Sequence, residues 1–297
     1  MNKKFLLKTG LLLGITCFKF PLYAQEEEKA LASIVYDFVH ITDTNQRQHP
    51  KKETMILYMG TDRSVFKSQT LALKLEEMKK EMDGNLPDGK MGKNRISFNA
   101  PNISNEELFL FPQEKKIITV DKIGMTDYLI PEDFPTINWE ITDETKVIGG
   151  YTCQSAKGSF GGRKYTVWFT TELPFPYGPW KLRGLPGLIL QASDSKNEVL
   201  FNYAGFDKID NTELTIVLPK DAITANRRDF EKAKAVQEKN FMSNWKNTLP
   251  ANSKAKIVLK DQSGRELSED EMRAAMERRA KDKKNQLNNP LELDQKQ

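Results

Sequence analysis

Between residues 32 and 206 most of the chain reads as β-strands, some alternating apolar and polar side chains with a period of two and others, such as Leu108 to Phe111, running apolar throughout. Ile34, Tyr36 and Phe38 alternate with Ser33, Val35, Asp37 and Val39 in a run from Ala32 to Ile41. Two shorter β-rich runs, Thr54 to Met59 and Ser64 to Phe66, flank Gly60 and Asp62 and predict a hairpin. Leu71, Leu75, Met78 and Met82 then recur at helical spacing with charges on the other face, which predicts an amphipathic helix near 68–83. Asp83 to Arg95, rich in Gly and Pro, reads as a loop. Strands resume at Leu108 to Phe111, Lys115 to Lys122 and Tyr128 to Ile130.

From Asn138 to Phe206 five or six strands follow one another through short turns. They are Glu140 to Val147 with a turn at Asp143, Tyr151 to Ser159, Lys164 to Thr170, Leu188 to Ala192 and Val199 to Phe206. No helices lie between them to make crossovers, so this is an antiparallel meander. Tyr165, Val167 and Phe169 share one face of their strand, and Thr166, Trp168 and Thr170 the other. After residue 206 the pattern turns helical, near 229–247 with Phe230, Phe241 and Trp245 as its core face. A second helix opens at Ser268 with Glu271 three residues later, a capping box, and has Met272 and Met276 as its apolar anchors. The expected fold is a β-dominant α+β class, a curved antiparallel meander forming a partial barrel or sandwich, with amphipathic helices packed on one side. The expected organisation is a leader over 1–24, a single β-rich domain over 25–265, and a charged helix with a loose tail over 266–297.

Charge changes the picture chiefly at the N-terminus. The chain of 297 residues carries 45 Lys and Arg against 41 Asp and Glu, but Lys3, Lys4, Lys8 and Lys19 all fall in the first 24 residues, where there is no acid. Without that stretch the chain is neutral, which argues against nucleic acid as a partner. Lys3 and Lys4, an apolar run from Thr9 to Phe18, and Leu22-Tyr23-Ala24 before Gln25 read as a signal peptide cut after Ala24. Export to the periplasm or envelope follows. Cys17 is the one candidate for lipidation, although Gly14-Ile15-Thr16 before it does not match the usual pattern. No later run approaches the 18 apolar residues of a membrane helix.

Three prolines, Pro174, Pro176 and Pro179, stiffen the connection after Thr170, and Phe175, Tyr177 and Trp180 are too many large rings for a loop left in solvent. Gly184-Leu185-Pro186-Gly187 then makes a tight reversal into the strand at Leu188. Either this loop folds back as a lid on the domain's own core, or it presents an aromatic surface to a partner or an apolar ligand. The second reading makes Arg163, Tyr177, Trp180, Arg183, Leu185 and Leu188 the candidate binding residues. In it the rings supply contact area and the arginines a polar end.

The hexapeptide Gly184 to Ile189, GLPGLI, is the signature of the GLPGLI family of Gram-negative envelope proteins, which this chain resembles. Gly150-Tyr151 and Cys153, Gly162-Arg163, Trp168-Phe169, Gly178 to Trp180 and Asn289-Pro290-Leu291 also look like family positions. The resemblance implies a signal peptide and a β-rich body, and brings no activity, substrate or cofactor.

Candidate catalytic chemistry is sparse. Two histidines, His40 and His49, cannot make a three-histidine zinc site, and HExxH, CxxC and GxSxG are absent, so no metal, cofactor or catalytic residue is assigned. With Cys17 removed, Cys153 is the remaining thiol, expected as a small apolar residue buried in a strand. Three functions follow. The first is a non-catalytic carrier holding an apolar small molecule under the Pro-aromatic loop, with a dry pocket lined by residues such as Trp139, Trp168, Phe169, Tyr177 and Trp180. The second is a module docking on an outer-membrane protein, and the third a hydrolase using Cys153 or a serine.

Overall fold

The computed structural model describes residues 27–84, 103–210, 214–248 and 288–294, with five further positions between 265 and 274. The signal peptide, Cys17 and most of the loop from Asp83 to Arg95 lie outside the described residues, as do the side chains of Met78, Met82, Phe241 and Trp245. Among the described residues the assigned elements run in the order β1 (Glu28–Lys29), β2 (Ala32–His40), β3 (Lys51–Met59), β4 (Ser64–Ser68), α1 (Gln69–Gly84), β5 (Glu107–Phe111), β6 (Lys116–Ile123) and β7 (Thr126–Glu132). They continue as β8 (Glu140–Ile148), β9 (Tyr151–Phe160), β10 (Arg163–Thr170), β11 (Leu188–Asp194), β12 (Val199–Lys208), β13 (Thr215–Ile216), β14 (Ile223–Thr224) and α2 (Arg227–Thr248).

Twelve of the strands make one sheet in the order β14-β7-β6-β5-β4-β3-β2-β12-β11-β10-β9-β8, antiparallel throughout except for the short parallel pair β14–β7. Two meanders, β2 to β7 and β8 to β12, are therefore joined where β12 returns to pair with β2. The connection from β7 to β8 forces this sheet to curl. Ten inter-strand steps separate β7 from β8, about 48 Å if flat at the usual strand spacing. Glu132 and Glu140 are only eight residues apart, a reach of about 28 Å even when extended. The fold is thus a β-dominant, strongly curved antiparallel sheet whose two wings face each other.

Alternation explains how the N-terminal wing is covered on both faces. In β4, β5 and β6, Phe66, Leu108, Leu110 and Ile117 join the main core between the wings. Their neighbours Val65, Phe109, Phe111, Ile118 and Val120 join a second core on the opposite face. Ile216 of β13, with Ile209, Leu214 and Leu218, covers that second core. Burial on both faces is why these strands read as continuous apolar runs rather than as clean alternation. In β10, Tyr165, Val167 and Phe169 are buried together in the main core as their periodicity predicts, and Trp168 is half-buried and packs against the same core.

Two local expectations change. Glu140 to Val147 does not turn at Asp143; it is one strand whose register against β9 shifts between Ile141 and Thr145. A bulge, not a hairpin, absorbs the polar run. In α1, Leu73 and Leu75 are each 55% exposed, so the expected stripe does not bury Leu75. Ser68 caps this helix by accepting the Leu71 N–H at 2.9 Å, and Asn226 caps α2 by accepting the Asp229 N–H at 2.9 Å. α2 seats Phe230 against Tyr128 of β7 with ring centroids 5.4 Å apart. The capping box at Ser268 is formed, with the Ser268 N–H donating to Glu271 at 2.8 Å and the Glu271 N–H to Ser268 Oγ at 3.3 Å.

Candidate functional site

The Pro-aromatic loop between β10 and β11 fills the space between the wings. Leu173, Tyr177, Leu182 and Leu185 are buried in the main core. The loop closes on itself through Leu188 N–H to Leu173 O at 3.1 Å and Ile189 N–H to Tyr177 O at 3.0 Å. The hexapeptide has a stereochemical reason at each glycine. Gly184 sits at φ +94°, in the left-handed region open to glycine. At Gly187 a Cβ would lie 2.1 Å from the Thr170 carbonyl oxygen, so no side chain fits. Leu185, Leu188 and Ile189 are core residues, at 3%, 0% and 0% exposure.

Of the six candidate binding residues, the structure places Tyr177, Leu185 and Leu188 inside the core. Burial, with the Glu28 and Asp62 carboxylates adding to it, raises the Tyr177 phenol well above its ordinary range. Trp180 is half-buried at φ +54°, its ring 5.3 Å from that of Phe160. Arg183 ties the loop to the β7–β8 crossover. It donates to the Pro135 carbonyl at 2.6 Å, lies 3.3 Å from the Phe134 ring centroid, and accepts the Trp139 indole N–H on its backbone carbonyl at 2.7 Å. Burial brings the Arg183 pKa down to about 10, which leaves it charged at neutral pH.

Arg163 is held apart from the other five. All five of its N–H donors are used by the chain: Nε to Leu291 O, one terminal nitrogen to Asp194 and Glu198, and the other to Asn289 Oδ1 and Pro290 O. It is 3% exposed. A guanidinium spent in this way fixes the late segment Asn288 to Asp294, and while that segment is in place it has no donor left for another ligand.

A groove of mixed polar and apolar lining, about 560 Å³ in volume, opens beside the crossover. Its walls come from three places that register brings together: Thr136, Asn138 and Glu140 of the crossover, Lys157 to Ser159 of β9, and Lys164 to Thr166 of β10, with Ser195 at one end. Glu140 and Thr166 flank Lys157 on either side, and Gly158 pairs with Tyr165. The crossover is extended, so Ile137 and Trp139 turn toward the core while Thr136, Asn138 and Glu140 stay exposed. Gly158 is held open by the same geometry, because a Cβ there would meet the Trp139 ring at 2.6 Å. None of Trp139, Trp168, Phe169, Tyr177 and Trp180 lines this groove. Sequence reasoning missed it because its parts are hydroxyl, amide and charged residues that carry no motif, and only long-range register assembles them.

Cys153 is 0% exposed; its thiol contacts the Tyr151 carbonyl oxygen at 3.6 Å, and burial raises its pKa. His40 is engaged elsewhere, with Nε2 at 2.8 Å from the Asn289 carbonyl oxygen, and burial lowers its pKa to about 4. His49 is an exposed residue whose backbone N–H closes a turn onto Gln46 O.

Comparison with known proteins adds a partial likeness. The family model described as N-glycanase peptide, N-terminal domain, of the PNGase F-II kind, matches residues 91–223. Two structures of PNGF-II, in the P21 and C2 space groups, are similar at 13% and 14% identity, each with a TM-score of 0.48. They are covered over 70% and 79% of this chain but only 33% and 37% of their own length. The chain thus spans about a third of those proteins. No curated protein sequence matches it. No helix of the described residues is long and apolar enough to cross a membrane.

Proposed function

We propose that the chain is an exported, non-catalytic recognition domain of the GLPGLI family, whose ligand is polar and carbohydrate-like and is held in the groove between the crossover, β9 and β10. The observation that carries the reading is the groove itself. It is open, its volume of about 560 Å³ lies in the ordinary range of ligand sites, and its walls mix hydroxyls, an amide and side chains of both charges with a comparable share of apolar surface. A polyhydroxylated ligand can exchange water for those donors and acceptors and lay its apolar ring faces on the rest of the lining, whereas a wholly apolar one would leave the polar groups unpaired. The partial match to the N-terminal domain of an N-glycanase supports a glycan or glycopeptide as the class to try first.

An apolar cargo under the Pro-aromatic loop is a poorer fit to this geometry, because the loop's Tyr177, Leu182 and Leu185 are already packed into the domain's own core. A hydrolase built on Cys153 is a poorer fit, because that thiol is buried with a raised pKa and His40 is bonded to Asn289 rather than to it. A signal peptide cut after Ala24 supports export. The test is titration of the mature chain with neutral N-linked oligosaccharides and glycopeptides. Saturable binding is expected, at least tenfold weaker for Lys164→Glu and Asn138→Ala, with both variants as stable as the parent.

A docking reading on an outer-membrane protein has one observation of its own. β8 ends the sheet, no strand among the described residues pairs with its outer edge, and Ile141 and Val147 on it are 47% and 69% exposed. A partner that added a strand there would bury both.

A further inference from the structure

The segment Asn288 to Asp294 lies in a cleft formed by the end of β2, the residues that follow it, the β9–β10 turn and Arg163, and it is held as a bound peptide would be. Three successive backbone carbonyls are read by side chains of the domain. The Asn289 carbonyl takes His40 Nε2 at 2.8 Å, that of Pro290 takes Arg163 at 2.6 Å, and that of Leu291 takes Arg163 Nε at 3.0 Å.

Side-chain identity is read as well. The Asn289 amide donates to the Ile41 carbonyl at 2.6 Å and accepts from Arg163 at 2.7 Å, while its backbone N–H donates to the Thr42 carbonyl at 3.1 Å. Proline follows where the chain has no N–H to satisfy. Leu291 packs on the main core, Glu292 pairs with the Lys181 ammonium, and the Leu293 N–H donates to the Gly161 carbonyl at 2.7 Å. The turn is bare at Gly161 and Gly162, where a Cβ would come within 3.1 Å of Glu292 and 3.0 Å of Leu293. Both sit at positive φ, +58° and +73°, so the turn suits glycine in shape as well as in clearance.

We propose that this cleft is a peptide-binding site specific for an Asn-Pro-Leu-Glu segment, that residues 288–294 occupy it as a ligand within one chain, and that the same segment of a second copy can take its place. A buried arginine with all its donors engaged, an asparagine read at every polar atom and a proline at the position without a donor amount to sequence recognition rather than surface packing. The occupant chosen is a second copy because every contact described is made by this chain's own sequence.

The test uses the full mature chain carrying Asn289→Ala and Leu291→Ala, which removes the side-chain contacts of the segment and so weakens its hold on the cleft in cis, and a fluorescent peptide with the sequence of residues 286–294. Circular dichroism and a thermal melt establish that the variant is folded. The expected result is saturable one-to-one binding to the variant, at least tenfold weaker binding to the parent chain, and a loss of at least tenfold when the peptide itself carries Asn289→Ala. A folded variant that does not bind the peptide, or that binds a scrambled peptide equally well, overturns the proposal. Should the variant not fold, the parent chain with a protease site placed before Asn288 is cut after folding. Uptake of the labelled peptide in place of the cut segment then supports the proposal, and failure to take it up overturns it.

Discussion

The indole N–H of Trp139 donates to the backbone carbonyl of Arg183 at 2.7 Å and so ties the β7–β8 crossover to the turn that opens the GLPGLI hexapeptide. The bond anchors the crossover that forms one wall of the groove, and the same ring lies against Gly158 of the wall opposite. Trp139→Phe keeps most of the ring and deletes the donor. It is expected to cost about 1 kcal/mol in urea unfolding and to weaken ligand binding, because the crossover wall loses its anchor.

The hexapeptide is a folding element at its second glycine. Gly187→Ala drives a methyl into the Thr170 carbonyl, a backbone atom that cannot step aside. The expected loss is at least ~2 kcal/mol of stability. The exposed Pro186 is the contrast, and Pro186→Ala should cost under ~1 kcal/mol through the unfolded chain alone. Denaturant midpoints of the two variants check the pair; equal losses would contradict the packing account.

Trp180 separates the loop from the groove. Its ring packs on Phe160 and is half-buried, so Trp180→Ala is expected to cost ~1–3 kcal/mol. Ligand affinity measured on the folded variant should stay within twofold of the parent. Loss of binding without loss of stability would return the recognition role to the loop.

His40 makes the fold acid-sensitive over a defined range. Burial lowers its pKa from 6.5 to about 4; Arg163 and Lys51 push the same way, and the bond to Asn289 and the Asp194 carboxylate push back. Between those two values the unfolded chain binds the proton and the folded chain does not, so stability is complete above pH 6.5 and falls as pH drops toward 4. The fall amounts to about 3 kcal/mol from this group. His40→Gln should flatten the pH dependence of the urea midpoint between pH 6.5 and 4, while the part that comes from carboxylates below that range remains.

Cys153 is expected to resist alkylation in the native protein at pH 8 and to react at the ordinary thiol rate once the chain is unfolded in urea. Burial and a raised pKa both lower its thiolate fraction. Rapid labelling of the folded protein would reopen the hydrolase reading.

Strand positions were legible in the sequence wherever one face is wet. β2, β9, β10 and β12 fall within a few residues of their predicted spans because period-two alternation survives there. The β7–β8 crossover was not legible. Its curl depends on β12 returning to β2, a pairing across more than 150 residues that no local pattern encodes. The same holds for the candidate site. The size of Tyr177 and Trp180 implies burial, and Tyr177 is buried and Trp180 half-buried, yet which surface they cover depends on the facing wing. Arg163 read as a ligand anchor because its partner Asn289 lies 126 residues away. The GLPGLI motif marks a packing constraint, at Gly187 above all, and motif strength alone cannot distinguish that from recognition.

The most direct measurement is the amide chemical-shift map of the isotope-labelled mature protein as an N-linked oligosaccharide is added. The account predicts that the largest changes fall at Asn138 to Glu140, Lys157 to Ser159, Lys164 to Thr166 and Ser195. Changes confined to residues 171–187, or none at saturating oligosaccharide, would contradict it.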